Sequence, residues 1–171
     1  MQLFYRKRNE TFVNINIICI GKLKENYLVD GVKEYCKRIS KYATIKILEL
    51  PDEPFSDSPS LKEIQSIQKI EAEKILKYIK PHDYTISLDL TGKQLTSEEF
   101  SAKLEEVTLN GFSTINFIIG GSLGISRELV ANSSFVFSFS KLTFPHQLIR
   151  LFLVEQIFRA FKISHHEKYH H

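Results

Sequence analysis

The chain reads as an α/β protein, a mostly parallel sheet of five or six strands with helices on both faces. Three observations lead there. From Asn14 onward, short β-branched runs alternate with longer stretches of helical periodicity. The first run is apolar almost throughout, as suits a strand buried on both faces. Gly or Pro closes several of these segments, marking where one element stops and the next begins.

In order, Ile15-Asn16-Ile17-Ile18-Cys19-Ile20 is the first strand, closed by Gly21. Leu28, Val32, Tyr35, Cys36 and Ile39 follow at spacings of three and four and give one apolar helix face. Thr44 to Leu50 is a second strand, stopped by Pro51, and Asp52 to Ser60 is a Pro-containing loop. Leu61 to Ile79 is a long helix expected to turn Ile64, Ile67, Ile70, Ile75 and Ile79 inward. Tyr84 to Leu90 is a third strand, with Thr91-Gly92-Lys93 as its turn. Thr96-Ser97-Glu98-Glu99 opens a helix with acidic residues where they complement the helix dipole. Ile115 to Ile119 is the most apolar strand and runs into Gly120-Gly121-Ser122-Leu123-Gly124. Ser126 caps a short helix through Ala131, Phe135 to Phe139 is the last strand, and Pro145 begins a final helix to about Ile163.

At 171 residues the chain fits one compact domain. No apolar run reaches the roughly 18 residues of a membrane span, and the first residues lack the apolar core of a signal peptide. Cys19 and Cys36 read as small core hydrophobes in a reducing compartment, so a soluble, cytoplasmic protein is expected. The formal charge of +3 is modest, and residues 13–171 hold 20 basic and 19 acidic side chains. Bulk charge will not attract nucleic acid; any such binding needs charge concentrated on one face or pooled across subunits.

The final helix carries two apolar stripes. Leu153, Val154, Ile157 and Phe161 make one, while Leu148, Leu151, Phe152 and Phe158 fall on the other side among Arg150, Gln156 and Arg159. A surface helix of a monomer shows one stripe. Either the helix is sunk in the core, or it packs on its own domain and on a partner subunit, which is the reading preferred here.

Three segments carry candidate chemistry. Gly120-Gly121-Ser122-Leu123-Gly124 lies between strand and helix, where open parallel sheets bind ligands. It matches neither the dinucleotide fingerprint nor a P-loop, and a tight turn remains open beside close approach to a flat ligand. Phe139-Ser140-Lys141-Leu142-Thr143-Phe144-Pro145-His146 is an apolar loop, and such loops need cover. His146 near a helix N-terminus is either a neutral polar group at a ligand site or a cap. The tail His165-His166-Glu167-Lys168-Tyr169-His170-His171 suggests a metal, but nothing completes a zinc site; a disordered tail and one folded over an active site stay open.

Together, "NINIICIGKLKENY", "SLDLTGKQLTSEEFSAKL", "INFIIGGSLGISREL", "FSFSKLTFPHQLIRLFLVEQIFRAFKI" and the closing Tyr169-His170 resemble the RlmH family over residues 13–171. The resemblance implies a SPOUT-class fold with a C-terminal trefoil knot, which general topology rules count as very rare. It implies a homodimer that methylates N3 of a pseudouridine in large-subunit ribosomal RNA within the ribosome, using S-adenosylmethionine and no metal. Carried over residue by residue, Leu88, Gly120, Phe139, Ser140, Lys141, Leu142, Thr143 and Phe144 hold the cofactor. His146, Arg159, Tyr169 and His170 are the candidate catalytic set, with His146 or His170 as base. A methyltransferase of another RNA, such as transfer RNA, and an inactive ribosome-associated binding protein are the alternatives. Residues 1–12 have no counterpart in the family and are expected to be disordered. Val13 stands where the family has its initiator Met, and His171 where a Lys or Arg is usual.

Overall fold

The structure, a computed structural model, describes residues 12–169. Residues 1–11, His170 and His171 lie outside the described residues, and with them the expected disorder of the N-terminal extension. Five strands, β1 (Val13–Ile20), β2 (Ala43–Leu50), β3 (Tyr84–Lys93), β4 (Thr114–Ile119) and β5 (Phe135–Phe137), form one sheet in the order β2-β1-β4-β3-β5. Every pairing is parallel. The helices are α1 (Asn26–Ile39), α2 (Leu61–Leu76), α3 (Ser97–Leu109), α4 (Arg127–Ala131) and α5 (His146–Ser164).

Side chains leave a strand on alternate faces, so the apolar runs supply two cores. Ile15, Ile17 and Cys19 of β1, with Ile115, Phe117 and Ile119 of β4, meet α1, α3 and α5 on one face. Ile18, Ile20 and Ile118 meet Ala72 and Ile75 of α2 and Leu129 of α4 on the other. One polar pair is built into the sheet. Asn16 and Asn116 sit in register on β1 and β4, the Asn16 amide donates to Asn116 Oδ1 at 2.8 Å, and Asn116 Nδ2 donates to Asp83 at 2.9 Å. Satisfied in this way, a fully buried Asn116 costs little and opposes register slippage.

Caps close the helices where the sequence placed them. Thr96 and Glu99 form a reciprocal capping box, and Ser126 accepts from the Leu129 N–H. Burial holds the Cys19 thiol up at about 12 and the Cys36 thiol at about 11, so both are inert packing groups.

Four expectations need correction. The helix α2 ends at Leu76, and Ile70 is exposed, because Ile67, Glu71, Ala72 and Ile75 occupy the inward face. The strand β3 does not turn at Thr91 but runs to Lys93, where it rejoins β5 after an irregularity between Leu88 and Lys93. Gly92 makes this possible: a Cβ there would lie 2.6 Å from the Phe137 carbonyl carbon. Finally β5 stops at Phe137, since the Ser138 N–H already donates to the Lys93 carbonyl and the chain then leaves the sheet.

Candidate functional site

The carboxyl ends of β3, β4 and β5 open on a cavity of about 600 Å³, within the range of small-molecule sites. Three segments form it. Leu88, Asp89 and Leu90 come from β3; Ile119 to Ile125 supply the glycine turn after β4; Phe137 to His146 and Ile149 supply the last loop and the first turn of α5. Of the eight residues expected to hold the cofactor, Leu88, Gly120, Phe139, Ser140, Leu142, Thr143 and Phe144 line this cavity, while Lys141 is exposed and does not.

The glycine turn is shaped by its own backbone. Gly124 has a φ of +80° and its N–H donates to the Gly121 carbonyl. A Cβ on Gly120 would meet the Gly124 carbonyl carbon at 2.8 Å, so this glycine is needed first for the turn to close on itself. Gln68 of α2 fixes the turn from below by donating to the Leu123 carbonyl at 2.6 Å.

The last loop is held by its serines. Ser138 Oγ donates to the Ser140 carbonyl, and Ser140 Oγ accepts from the Leu142 N–H. Leu142, 67% exposed, stands at the cavity's open side without cover. An apolar side chain left in this position suits a ligand with a flat apolar face.

His146 lines the same cavity and begins α5. Desolvation, with the Arg150 guanidinium adding to it and Asp52 opposing, holds its imidazole below the usual histidine value. Neutral at physiological pH, it keeps a lone pair able to accept a proton. Pro145, not His146, occupies the N-cap position of α5, and no side chain caps that end.

One residue that sequence reasoning passed over organises this corner. Arg150 is wholly buried; it donates to Glu49 at 2.8 Å and to the carbonyls of Ile20 and Gly21 at 3.0 and 2.7 Å. Glu49 also accepts the Leu23 N–H, and Gln147 accepts the Lys24 N–H. The ends of β1 and β2 are thereby tied to the first turns of α5. Arg150 was read as one of the polar residues beside the second apolar stripe; the available signal was an arginine one helical turn after His146.

The other catalytic candidates lie elsewhere. Arg159 is thirteen residues along α5 from His146, about 20 Å at the helical rise. It forms an ion pair with Glu155 at 2.6 Å, and its guanidinium lies 4.9 Å from the centroid of the Tyr169 ring. Tyr169 also packs edge-on against Phe158, and its hydroxyl lies 3.4 Å from that of Tyr35 and 3.3 Å from Glu155. Burial, then Tyr35, raises its phenol further above the usual value, so it acts as a neutral hydrogen-bonding group. His170, the second base candidate, falls outside the described residues.

The second stripe of α5 is corrected too. Phe158 is buried within its own chain among Tyr35, Tyr42 and Tyr169, and Leu151 packs on Gly31 of α1. Leu148 and Phe152 remain, half-buried, on a face that continues through Glu155 and Arg159; Phe152 touches Phe139 and Phe144 of the cavity loop. Among the described residues, no group of three or more His, Cys, Asp or Glu is placed to hold a metal ion, and no helix is long and apolar enough to cross a membrane. His165 packs on Tyr42 and Phe161 instead.

Comparison with known proteins bears on the family and the fold. Residues 13–170 match the family model described as "Predicted SPOUT methyltransferase". A protein of Clostridium acetobutylicum named "Ribosomal RNA large subunit methyltransferase H" is 51% identical over 92% of this chain and 99% of its own length. A relative of the same name from Desulforamulus reducens is 46% identical over the same shares. Among solved structures, a probable methylase family protein from Haemophilus influenzae Rd KW20 superposes with a TM-score of 0.51, covering 93% of this chain and 71% of that one at 12% identity, a likeness of fold alone. On a match that spans nearly the whole chain and relatives half identical to it, the chain belongs to the SPOUT methyltransferase family.

Proposed function

We propose that this chain transfers a methyl group from S-adenosylmethionine to N3 of a pseudouridine in large-subunit ribosomal RNA, on the ribosome in the cytoplasm. The observation that carries the reading is the cavity at the carboxyl edge of the sheet, which joins the glycine turn, the apolar loop and His146. The relatives' name supports the RNA substrate.

The cavity suits the methyl donor. Leu88 and Leu142, both lining the cavity, would enclose a flat adenine, and backbone groups of the 139–144 loop would bond its edge. When bound, S-adenosylmethionine supplies an activated methyl on a sulfonium, which needs no metal. The protein's part is to hold the acceptor nitrogen in line with it. That N3 is an imide N–H and must lose its proton; His146, which lines the cavity, is the proposed acceptor, with His170 the other candidate. Arg159 orients a phosphate or a uracil carbonyl, and Tyr169 positions the base.

Within one chain, the two ends of α5 cannot serve one site, being about 20 Å apart. A homodimer resolves this. Phe152 lies near the midpoint between His146 and Arg159, with Leu148 one turn closer to His146, so a two-fold axis at Phe152 would set each Arg159 and Tyr169 beside the partner's cavity. The single methyltransferase domain spans residues 13–171, with residues 1–12 dispensable.

Ribosomes from cells lacking the gene test the proposal. The protein with labelled S-adenosylmethionine should label large-subunit RNA, and mass spectrometry should place the methyl on a pseudouridine. Labelling of transfer RNA alone, or no binding of S-adenosylmethionine by calorimetry, would overturn it.

A further inference from the structure

Charge is distributed unevenly along this chain. Residues 22–46 hold seven basic and three acidic side chains, while residues 47–171 hold thirteen and sixteen. The basic excess thus falls on one unit: the turn after β1, helix α1 and edge strand β2. All seven of its cations, Lys22, Lys24, Lys33, Lys37, Arg38, Lys41 and Lys46, are exposed, and Arg38 is paired with Glu34. The acidic residues of the unit, Glu25, Asp30, Glu34 and Glu49, are exposed as well, and Glu49 is paired with the buried Arg150.

This unit reaches the candidate site. Gly21 approaches the His146 imidazole so closely that a Cβ there would sit 3.9 Å from Nε2. Arg150, Glu49 and Gln147 hold the backbone of Gly21, Leu23 and Lys24 against α5. The turn carrying Lys22 and Lys24 is therefore fixed relative to the proton-accepting group. Just beyond it, Tyr27 in the first turn of α1 is 69% exposed, with no role in either core. An exposed aromatic ring beside two lysines matches how proteins hold unpaired RNA, stacking a base and pairing phosphates.

We propose that the outer surface of the β1–α1–β2 unit docks ribosomal RNA. Lys22, Lys24 and Tyr27 hold the nucleotides next to the target, and Lys33, Lys37 and Lys41 hold the backbone further out. The proposal rests on the RNA methyltransferase reading. It answers the near-neutral bulk charge of residues 13–171, because the cations are gathered on one unit whose first turn abuts His146.

The test titrates labelled enzyme with large ribosomal subunits from cells lacking the gene, between about 50 and 200 mM salt. Each neutralised phosphate contact removes about 0.7 to 0.9 from the slope of log affinity against log salt. Lys22→Ala with Lys24→Ala, and Lys33→Ala with Lys37→Ala, should each flatten that slope by about 1 to 2. Tyr27→Ala should weaken binding roughly 5- to 150-fold with the slope unchanged, and Tyr27→Phe should restore it, since stacking needs the ring and not the hydroxyl. S-adenosylmethionine affinity should stay at the wild-type value throughout. Should wild type methylate the subunits while the lysine pairs keep its KM and salt slope, the docking surface is wrong and the function stands. A fall in affinity of the lysine variants at constant slope would point to a protein partner and overturn the proposal. If wild type neither binds nor methylates the subunits, both readings fall together.

Discussion

The two ends of α5 are built on different principles. At its first turn, His146 and Ile149 border a cavity bounded by glycine backbone and apolar rings, and His146 is kept neutral by desolvation. At its far end, Arg159, Glu155, Tyr169 and Tyr35 form a hydrogen-bonded cluster in which tail and helix hold one another. One end has room for a ligand and few charges. The other has an ion pair and polar groups suited to RNA. The difference teaches that one helix can present two unlike environments, and the proposed two-chain site depends on bringing them together.

The largest effect should come from breaking both halves separately. Gly120→Val drives a side chain into the Gly124 backbone, so binding of S-adenosylmethionine is lost and stability falls by about 1–3 kcal/mol. A chain truncated before Tyr169 should keep cofactor binding and lose transfer. Mixed dimers of the two variants, confirmed by native mass spectrometry, should recover part of the activity; none recovered would mean that each chain uses its own tail.

Next in size is the contrast between two helix faces. Phe158→Glu places a charge among Tyr35, Tyr42 and Tyr169, so the chain itself should be destabilised, by about 3–5 kcal/mol in denaturant titrations. Leu148→Glu should leave the monomer folded and shift it from dimer to monomer in sedimentation. A folded, monomeric Phe158→Glu protein would reverse the assignment of the faces.

Arg150→Met sharpens the comparison at the cavity end. It strips Glu49 and the Ile20 and Gly21 carbonyls of their donor, and should cost roughly 3 kcal/mol, near the low end for buried pairs because Glu49 is partly solvated. Wild-type stability in thermal unfolding would show that the brace is dispensable.

The His146 prediction is gentler. Its folded value lies below the ordinary 6.5, so its neutral form persists to lower pH than in a free histidine. The stability it contributes is present above pH 6.5 and lost as pH falls through the depressed value. The acid limb of kcat/KM against pH should therefore lie below 6.5 and vanish in His146→Ala. An acid limb above 7 would assign the base elsewhere. Smallest of all, Thr96→Ala removes half a capping box remote from both ends, and should cost about 1 kcal/mol with activity untouched.

Much was legible in the order of residues itself. The alternation of elements and the caps at Thr96 and Ser126 follow from local pattern, while the grouping of Leu88, the glycine turn and the 139–144 loop came from the family resemblance. Elements and caps depend on neighbours within a few positions, where sequence and geometry are tightly coupled. The tertiary structure decided what local pattern leaves open. A helical wheel shows that Phe158, Leu151, Leu148 and Phe152 share a side of α5, but not that Tyr35, Tyr42, Tyr169 and Gly31 of the same chain cover the first two. A Thr-Gly-Lys triplet looks like a turn until Phe137 lies against the glycine and draws the strand onward. Arg150 looks like a surface cation until Glu49, Ile20 and Gly21 converge on it across more than 100 residues of chain. Burial is a property of what arrives from elsewhere in the chain.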